Sequence, residues 1–336
     1  MATDDEILIS SDSHVMESPE LWARDLPASF WPDAGRSFQG QPGGHDPKAR
    51  LREMAEDGVS AEVLYPTLGL KLFGLDDADV QERAMRTYND WLIDYCQEDN
   101  ERLVGIACIA AYDVTNAVAE LERGHAEGLG GCLVWQAPHP DMPFTSERYD
   151  PLWAAAQALK MPVSMHILTG HNYSRQLGIT KGIDHYRGSV NLKLLTVTDA
   201  LMDLIFSGVM ERFPELKFVV VENEVGWLPF VLSQWDYYFH RFRESNPLPI
   251  ERQPSDYFYR QVYATFFRDP TSAHLFDWRG ADNCMWSNDY PHPNSTWPHS
   301  REVIARNLGH LPAETKAKLL RTTVQSLYGL KTPVPV

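Results

Sequence analysis

Four residues of this chain have the types and placement to hold a metal ion. Asp12 and His14 follow the apolar run Ile7-Leu8-Ile9, and residues two apart on a strand face the same side. A carboxylate and an imidazole paired in this way can ligate one divalent cation. His166 lies in the apolar stretch Pro162-Val163-Ser164-Met165-His166-Ile167, where a buried imidazole needs a partner. Asp289 comes just after Met285-Trp286. Each has a plainer reading alone: an Asp–His hydrogen bond, a satisfied core histidine, an aspartate capping the turn before Pro291. Taken together they imply two histidines and two carboxylates at one divalent ion. Zinc is the first expectation, and Mn and Fe(II) suit the same donors.

Such residues meet only if the fold brings distant strand ends together. Eight apolar runs read as strands: Ile7–Ser11, Val59–Tyr65, Leu103–Ala110, Gly131–Trp135, Pro162–Ile167, Leu216–Glu222, Gln261–Phe267 and Asn283–Ser287. Helical patterns separate most of them. One opens at Asp46-Pro47, an N-cap with proline in the first helical position, and stops near Gly58. Others run from about Asp77 to Glu98, Thr115 to Ala126, Leu192 to Met210 and Trp227 to Arg243, another opens at Tyr149-Asp150-Pro151, and two more follow the last strand, about His299 to Asn307 and Pro312 to Leu327. Alternating strands and helices imply a parallel sheet. Eight such units predict a (β/α)₈ TIM barrel with C-terminal helices, as one domain over residues 1–336 with insertions at about 27–45 and 169–190. The rival is an open doubly wound sheet, which would carry a glycine-rich turn after its first strand. Here that turn reads Asp12-Ser13-His14-Val15-Met16-Glu17. In a barrel the first and eighth strands are neighbours, the fifth lies across the mouth, and the strands' carboxyl ends carry the active site.

Composition narrows the classes of partner. The chain has 336 residues, 43% of them hydrophobic, and a formal net charge of −16, which leaves no basic excess for a nucleic acid. No apolar stretch reaches the roughly 18 residues of a membrane span. The acidic start (Asp4, Asp5, Glu6) is no signal peptide, so the cytoplasm is the expected location. Cys96, Cys108, Cys132 and Cys284 form no C-x-x-C pair. They read as reduced residues, mostly of the core. The expected partner is a small-molecule substrate, and exposed apolar helices would allow a homodimer.

Asp12-Ser13-His14, Pro162-x-x-x-His166 and Ser287-Asn288-Asp289-Tyr290-Pro291-His292 resemble the amidohydrolase superfamily. The nearest branch is the amidohydrolase-2 group, which includes aminocarboxymuconate semialdehyde decarboxylase. The resemblance runs from about residue 7 to 328 and implies a (β/α)₈ barrel with a single divalent metal. It makes Asp12, His14 and His166 metal ligands, and Asp289 a ligand or the catalytic carboxylate. Two departures stand out. The first motif is Asp-x-His, where the family more often has His-x-His or Glu-x-His. The sixth-strand histidine is missing, and Asn223 stands in its place in Val221-Glu222-Asn223-Glu224. Asn cannot carry a proton, so Glu222 is the replacement acid or base. The fourth strand has no lysine of the kind that bridges two metals in binuclear barrel hydrolases, which favours one ion.

Further mouth candidates are His292, as an auxiliary catalytic group, and Arg268, His171 and Trp297 for substrate; Arg175 ranks below them. Trp135, Trp227, Trp286 and Trp297 either line a pocket or fill the core. Two reactions suit the site. The first expectation is hydrolysis: metal-activated water attacks a carbonyl and Asp289 shuttles its proton. The alternative is non-oxidative decarboxylation of an aromatic or unsaturated acid. A barrel that binds a ligand without catalysis is a third reading, which requires Asp12 and Asp289 to be paired with Arg or Lys.

Overall fold

The computed structural model describes residues 6–31, 41–171, 183–276 and 281–331. Arg175, the tail 332–336 and the middle of each expected insertion lie outside the described residues. Eight parallel strands follow one another in chain order: β1 (Leu8–His14), β2 (Val59–Tyr65), β3 (Leu103–Cys108), β4 (Gly131–Val134), β5 (Val163–His166), β6 (Phe218–Val221), β7 (Val262–Phe266) and β8 (Cys284–Trp286). They form a nearly closed (β/α)₈ barrel. Within these strands every residue but Tyr263 is buried, because helices cover the outer face and side chains fill the inside. The four cysteines are free and buried.

The end of β8 meets β1 through backbone bonds, from His14 N to Tyr290 O at 2.6 Å and from Asp289 N to Asp12 O at 3.1 Å. β1 is longer than its apolar run suggested and includes both Asp12 and His14. Against β2 it pairs Ser10 with Glu62 and Ser13 with Leu64. One extra residue is therefore taken up beside Asp12, a bulge of the kind that re-aims a side chain next to a site.

Local sequence signals account for the helices. Asp46 accepts a hydrogen bond from Lys48 N, Pro47 starts the helix Pro47–Asp57, and Gly58 ends it with φ 72°. Asp77 caps Ala78–Cys96 and Asp113 caps Val114–Ala126 in the same way. One helix was not expected, Pro254–Gln261 ahead of β7. The terminal helix is also broken, by a π-helical turn at Lys318–Thr322.

A buried polar lock holds the barrel seam. Arg50 is fully buried; its Nε donates to Glu62 Oε2 at 2.5 Å and its Nη1 to the carbonyl of His14 at 2.7 Å. The other oxygen of Glu62 accepts from Asn288 Nδ2 at 3.2 Å, and Asn288 Oδ1 accepts from the hydroxyls of Ser10 and Ser13 at 3.0 and 2.8 Å. Three strand ends are thereby fixed to one another. Arg50→Met would leave the Glu62 carboxylate buried without its cation. Breaking a buried pair in this way costs about 3–5 kcal/mol. Urea unfolding monitored by tryptophan fluorescence should show that loss, and a loss under about 1 kcal/mol would mean the pair is not holding the seam.

Candidate metal centre

Asp12, His14, His166 and Asp289 come together at the carboxyl end of the barrel, and all four are buried. Asp12 Oδ1 lies 3.4 Å from His14 Nε2 and 3.6 Å from His166 Nε2, and His14 Nε2 lies 3.6 Å from Asp289 Oδ1. These spacings are too long for hydrogen bonds. They match donors sharing one cation, since two ligands each about 2.1 Å from an ion sit about 3–3.5 Å apart. Both oxygens of Asp12, His14 Nε2, His166 Nε2 and Asp289 Oδ2 are buried and make no hydrogen bond among the described residues. Five orphaned polar atoms facing one another would be costly in an ordinary core. A divalent cation satisfies those of Asp12, His14 and His166 together, so the residues fit the group.

The histidines are already in the ligand tautomer. His14 Nδ1 lies 2.8 Å from the Pro66 carbonyl and His166 Nδ1 lies 2.7 Å from the Ile167 carbonyl. A carbonyl only accepts, so each Nδ1 carries the hydrogen and each Nε2 presents a lone pair to the centre. Asp12, His14 and His166 form one possible ligand set, and His14, Asp289 and His292 a second. Both sets need His14 Nε2, and a neutral imidazole nitrogen binds one ion. The geometry therefore describes a single-metal centre.

Electrostatics point the same way. Burial opposes charge on Asp12, but the imidazoles of His14 and His166 hold its carboxyl below the usual range. Burial, aided by His292, keeps His14 neutral. His166 is raised, because Asp12 and Glu222 outweigh its burial. Burial, reinforced by Glu222, pushes Asp289 well up. A proton on His166 Nε2 would compete with the cation for the same lone pair. Metal affinity should therefore fall as pH drops through the raised pKa of His166. Metal titrations over a pH series would show that fall, and an affinity that does not weaken toward acid pH would contradict it.

Glu222 and Asp289 both have left-handed backbones, at φ 62° and 55°. Aspartate tolerates this region and glutamate rarely does, so such strain is an accepted marker of function. Glu222 N donates to Thr265 Oγ1, and Glu222 Oε2 lies 3.8 Å from His166 Nε2. Asn223 is engaged elsewhere: its Nδ2 donates to Gln136 Oε1 at 2.9 Å and to the Val221 carbonyl at 2.8 Å. The carboxylate, rather than the amide in the histidine's place, faces the centre.

His292 Nδ1 is 2.8 Å from Asp289 Oδ1, and its ring stacks on His14 at 3.9 Å. Burial lowers its pKa to about 4. The three residues expected to contact substrate are placed differently. His171 lies 3.4 Å from Asp76 and against the ring of His139. Arg268 is exposed and donates to the carbonyls of Asn294 and Ser295. Trp297 Nε1 donates to the Glu53 carbonyl. Trp135 and Trp286 are core residues. Sequence reasoning overlooked Thr67, although it follows the apolar run of β2; its Oγ1 is 3.1 Å from His292 Nε2. It also overlooked Asn288 as the hub of the seam, despite its place beside Asp289.

A (β/α)₈ barrel with a mononuclear ligand cluster at its carboxyl end defines a class of metal-dependent enzymes. The chain belongs to the amidohydrolase family, whose profile matches residues 12–330. It is 25% identical over 296 residues to the gamma-resorcylate decarboxylase of Rhodococcus jostii, covering 84% of this chain and 87% of that protein. In fold it resembles an amidohydrolase from Mycobacterium avium subsp. paratuberculosis, with a TM-score of 0.79 at 19% identity, covering 97% of this chain and all of the other. It also resembles a 5-carboxyvanillate decarboxylase from Novosphingobium aromaticivorans complexed with manganese and 4-hydroxy-3-methoxy-5-nitrobenzoic acid. There the TM-score is 0.77 at 20% identity, over 98% of both chains. Of these, the curated relative is named for decarboxylation, the second of the two expected reactions. No described helix is long and apolar enough to cross a membrane.

Proposed function

We propose that this protein is a metal-dependent, non-oxidative decarboxylase of a hydroxylated aromatic acid. The observation that carries the metal dependence is the set of five partnerless buried donor atoms around Asp12. The choice of decarboxylation follows the curated relative that matches most of the chain. Asp12, His14 and His166 hold the ion. Manganese, present in one structural relative, and zinc both suit this donor set. When bound, a divalent cation neutralises and orients the substrate carboxylate and the oxygen next to it.

The chain's own residues supply the proton chemistry. Asp289, neutral in its buried setting, gives its proton to the carbon that bears the carboxylate. The C–CO₂ bond then breaks, its electron pair returns to the ring, and CO₂ leaves. Glu222 replaces the missing histidine: it accepts the proton of the substrate hydroxyl while the carbon is being protonated and returns it as the ring regains aromaticity. Of the substrate candidates, His171 with His139 is retained for the rim of the mouth. Arg268 and Trp297 act through the loop after β8.

The test is a panel of 2-hydroxybenzoates, including 2,6-dihydroxybenzoate and 5-carboxyvanillate, set beside esters, amides and lactones. Loss of ring absorbance together with CO₂ release from an aromatic acid is the expected result. Hydrolysis of an ester or lactone, with every acid left intact, would return the reading to hydrolysis.

A further inference from the structure

His14 aims Nε2 at the centre only while its Nδ1–H stays on the Pro66 carbonyl, 2.8 Å away. That carbonyl must itself be held. We propose that Glu17 is a positioning residue of the metal centre: its buried carboxylate fixes the Pro66–Thr67 peptide and, through it, the ring of His14. The inference rests on the reading of Asp12, His14 and His166 as the ligand set, and not on the choice of reaction.

Glu17 is 4% exposed and lies outside the ligand cluster. Its Oε2 accepts from Thr67 N at 3.1 Å and from Leu68 N at 2.9 Å, and its Oε1 accepts from Gly69 N at 3.1 Å. The first of these bonds reaches the centre. Thr67 N–H and Pro66 C=O are the two ends of one peptide unit, and that unit is planar. A carboxylate that holds the N–H therefore sets the direction of the carbonyl that receives His14 Nδ1–H. On the other side of Pro66, the Tyr65 carbonyl accepts from Val15 N at 2.9 Å. Both tethers come from residues that closely follow His14 in Asp12-Ser13-His14-Val15-Met16-Glu17. One short segment thus carries two ligands and the support of one of them.

The turn after β2 has no such support of its own. The 3₁₀ segment Leu68–Gly74 starts after Thr67, whose side chain makes no cap, and the first amides of a helix need acceptors. A local serine or aspartate cap would satisfy them at little cost. Glu17 is a costlier solution, since burial pushes its carboxyl up to about 7 against the pull of the amides. What a local cap could not do is tie the turn to the strand that bears the ligands. Gly69 completes the fit: a Cβ there would come 2.7 Å from Pro66 Cβ and 3.0 Å from Glu17 Oε1.

Two variants disturb this support independently. Glu17→Gln keeps the shape but turns a donor toward the amides, and Gly69→Ala keeps the carboxylate but displaces the turn. Gln261→Leu is the control. Gln261 is buried at the amino end of the barrel and donates to the carbonyls of Phe213 and Leu216, so its loss destabilises without touching the turn. The first readout is ¹⁵N–¹H NMR of histidine-labelled protein, metal-free and zinc-loaded, at a pH where Glu17 is ionised. His14 Nδ1–H is assigned by its absence in His14→Asn, and His166 Nδ1–H, held on the Ile167 carbonyl, is the internal reference. The second readout is zinc affinity by competition with a chelating dye. In Glu17→Gln and Gly69→Ala the His14 signal should be lost to exchange with water while that of His166 persists. Zinc affinity should fall about 10- to 100-fold, the range for an outer partner of a ligand. Gln261→Leu should match wild type in both. A folded Glu17→Gln protein that keeps the His14 signal and wild-type zinc affinity overturns the proposal, as does a control that reproduces both losses. If Glu17→Gln fails to fold, Gly69→Ala decides by the same criteria. If wild type binds no zinc, the ligand reading fails separately, and the His14 signal alone decides whether Glu17 sets the ring.

Discussion

His166→Ala is expected to leave a folded protein that no longer retains a divalent ion through dialysis. His166 closes the three-donor set from the side of the barrel opposite β1. Its Nε2 makes no hydrogen bond among the described residues, and its Nδ1–H is fixed on the Ile167 carbonyl. Removal leaves Asp12 and His14 on one strand with Asp289, kept for proton transfer, beside them, and takes away the donor that closes the set from across the barrel. Loss of an outer partner of a metal ligand typically costs 10- to 100-fold in affinity, so losing a ligand should cost more than about 100-fold. Elemental mass spectrometry after dialysis should find about one ion per chain in wild type and almost none in the variant. His125→Ala, on an exposed helix position, should keep the full amount. Equal metal in all three proteins would remove His166 from the ligand set.

Asp289→Asn is expected to lower kcat by about 10²- to 10⁴-fold, the range for loss of a general acid. Asparagine is the informative replacement. It has nearly the same shape, and like aspartate it accepts the left-handed backbone of this position. Alanine would add backbone strain to the loss of chemistry. The amide cannot give up a proton to carbon, while Asp12, His14 and His166 remain to hold the ion. Metal content should therefore stay near one per chain while turnover falls, a separation that His166→Ala cannot show. Retention of more than about a tenth of the wild-type rate would assign the proton transfer to another group, with Glu222 the first to examine.

Much of this site was legible in the sequence because barrel strands are buried on both faces and so read as apolar runs. A histidine inside Val163–His166 or an aspartate just past Cys284–Trp286 stands out against such a background, and the order of strands fixes which ends are neighbours. What escaped was set by contacts between distant segments. Arg50 looks like an ordinary helical surface residue until Glu62 and the His14 carbonyl surround it. The missing histidine points to Glu222, but the left-handed backbone with which it faces the centre is announced by no residue pattern around it. The helix Pro254–Gln261 is short and rich in polar and aromatic residues, so nothing in its periodicity distinguished it from a loop. The choice of reaction was the hardest to read, because one set of ligands serves hydrolysis and decarboxylation alike.

The most direct test of the central claim is CO₂ release from a 2-hydroxybenzoate by one preparation in three states: as purified, after chelator, and after manganese or zinc is restored. The account predicts release in the first state, at least a 100-fold loss in the second, and recovery in the third. Undiminished release from protein shown to be metal-free would contradict it, because the donors around Asp12 would then have no part in the reaction.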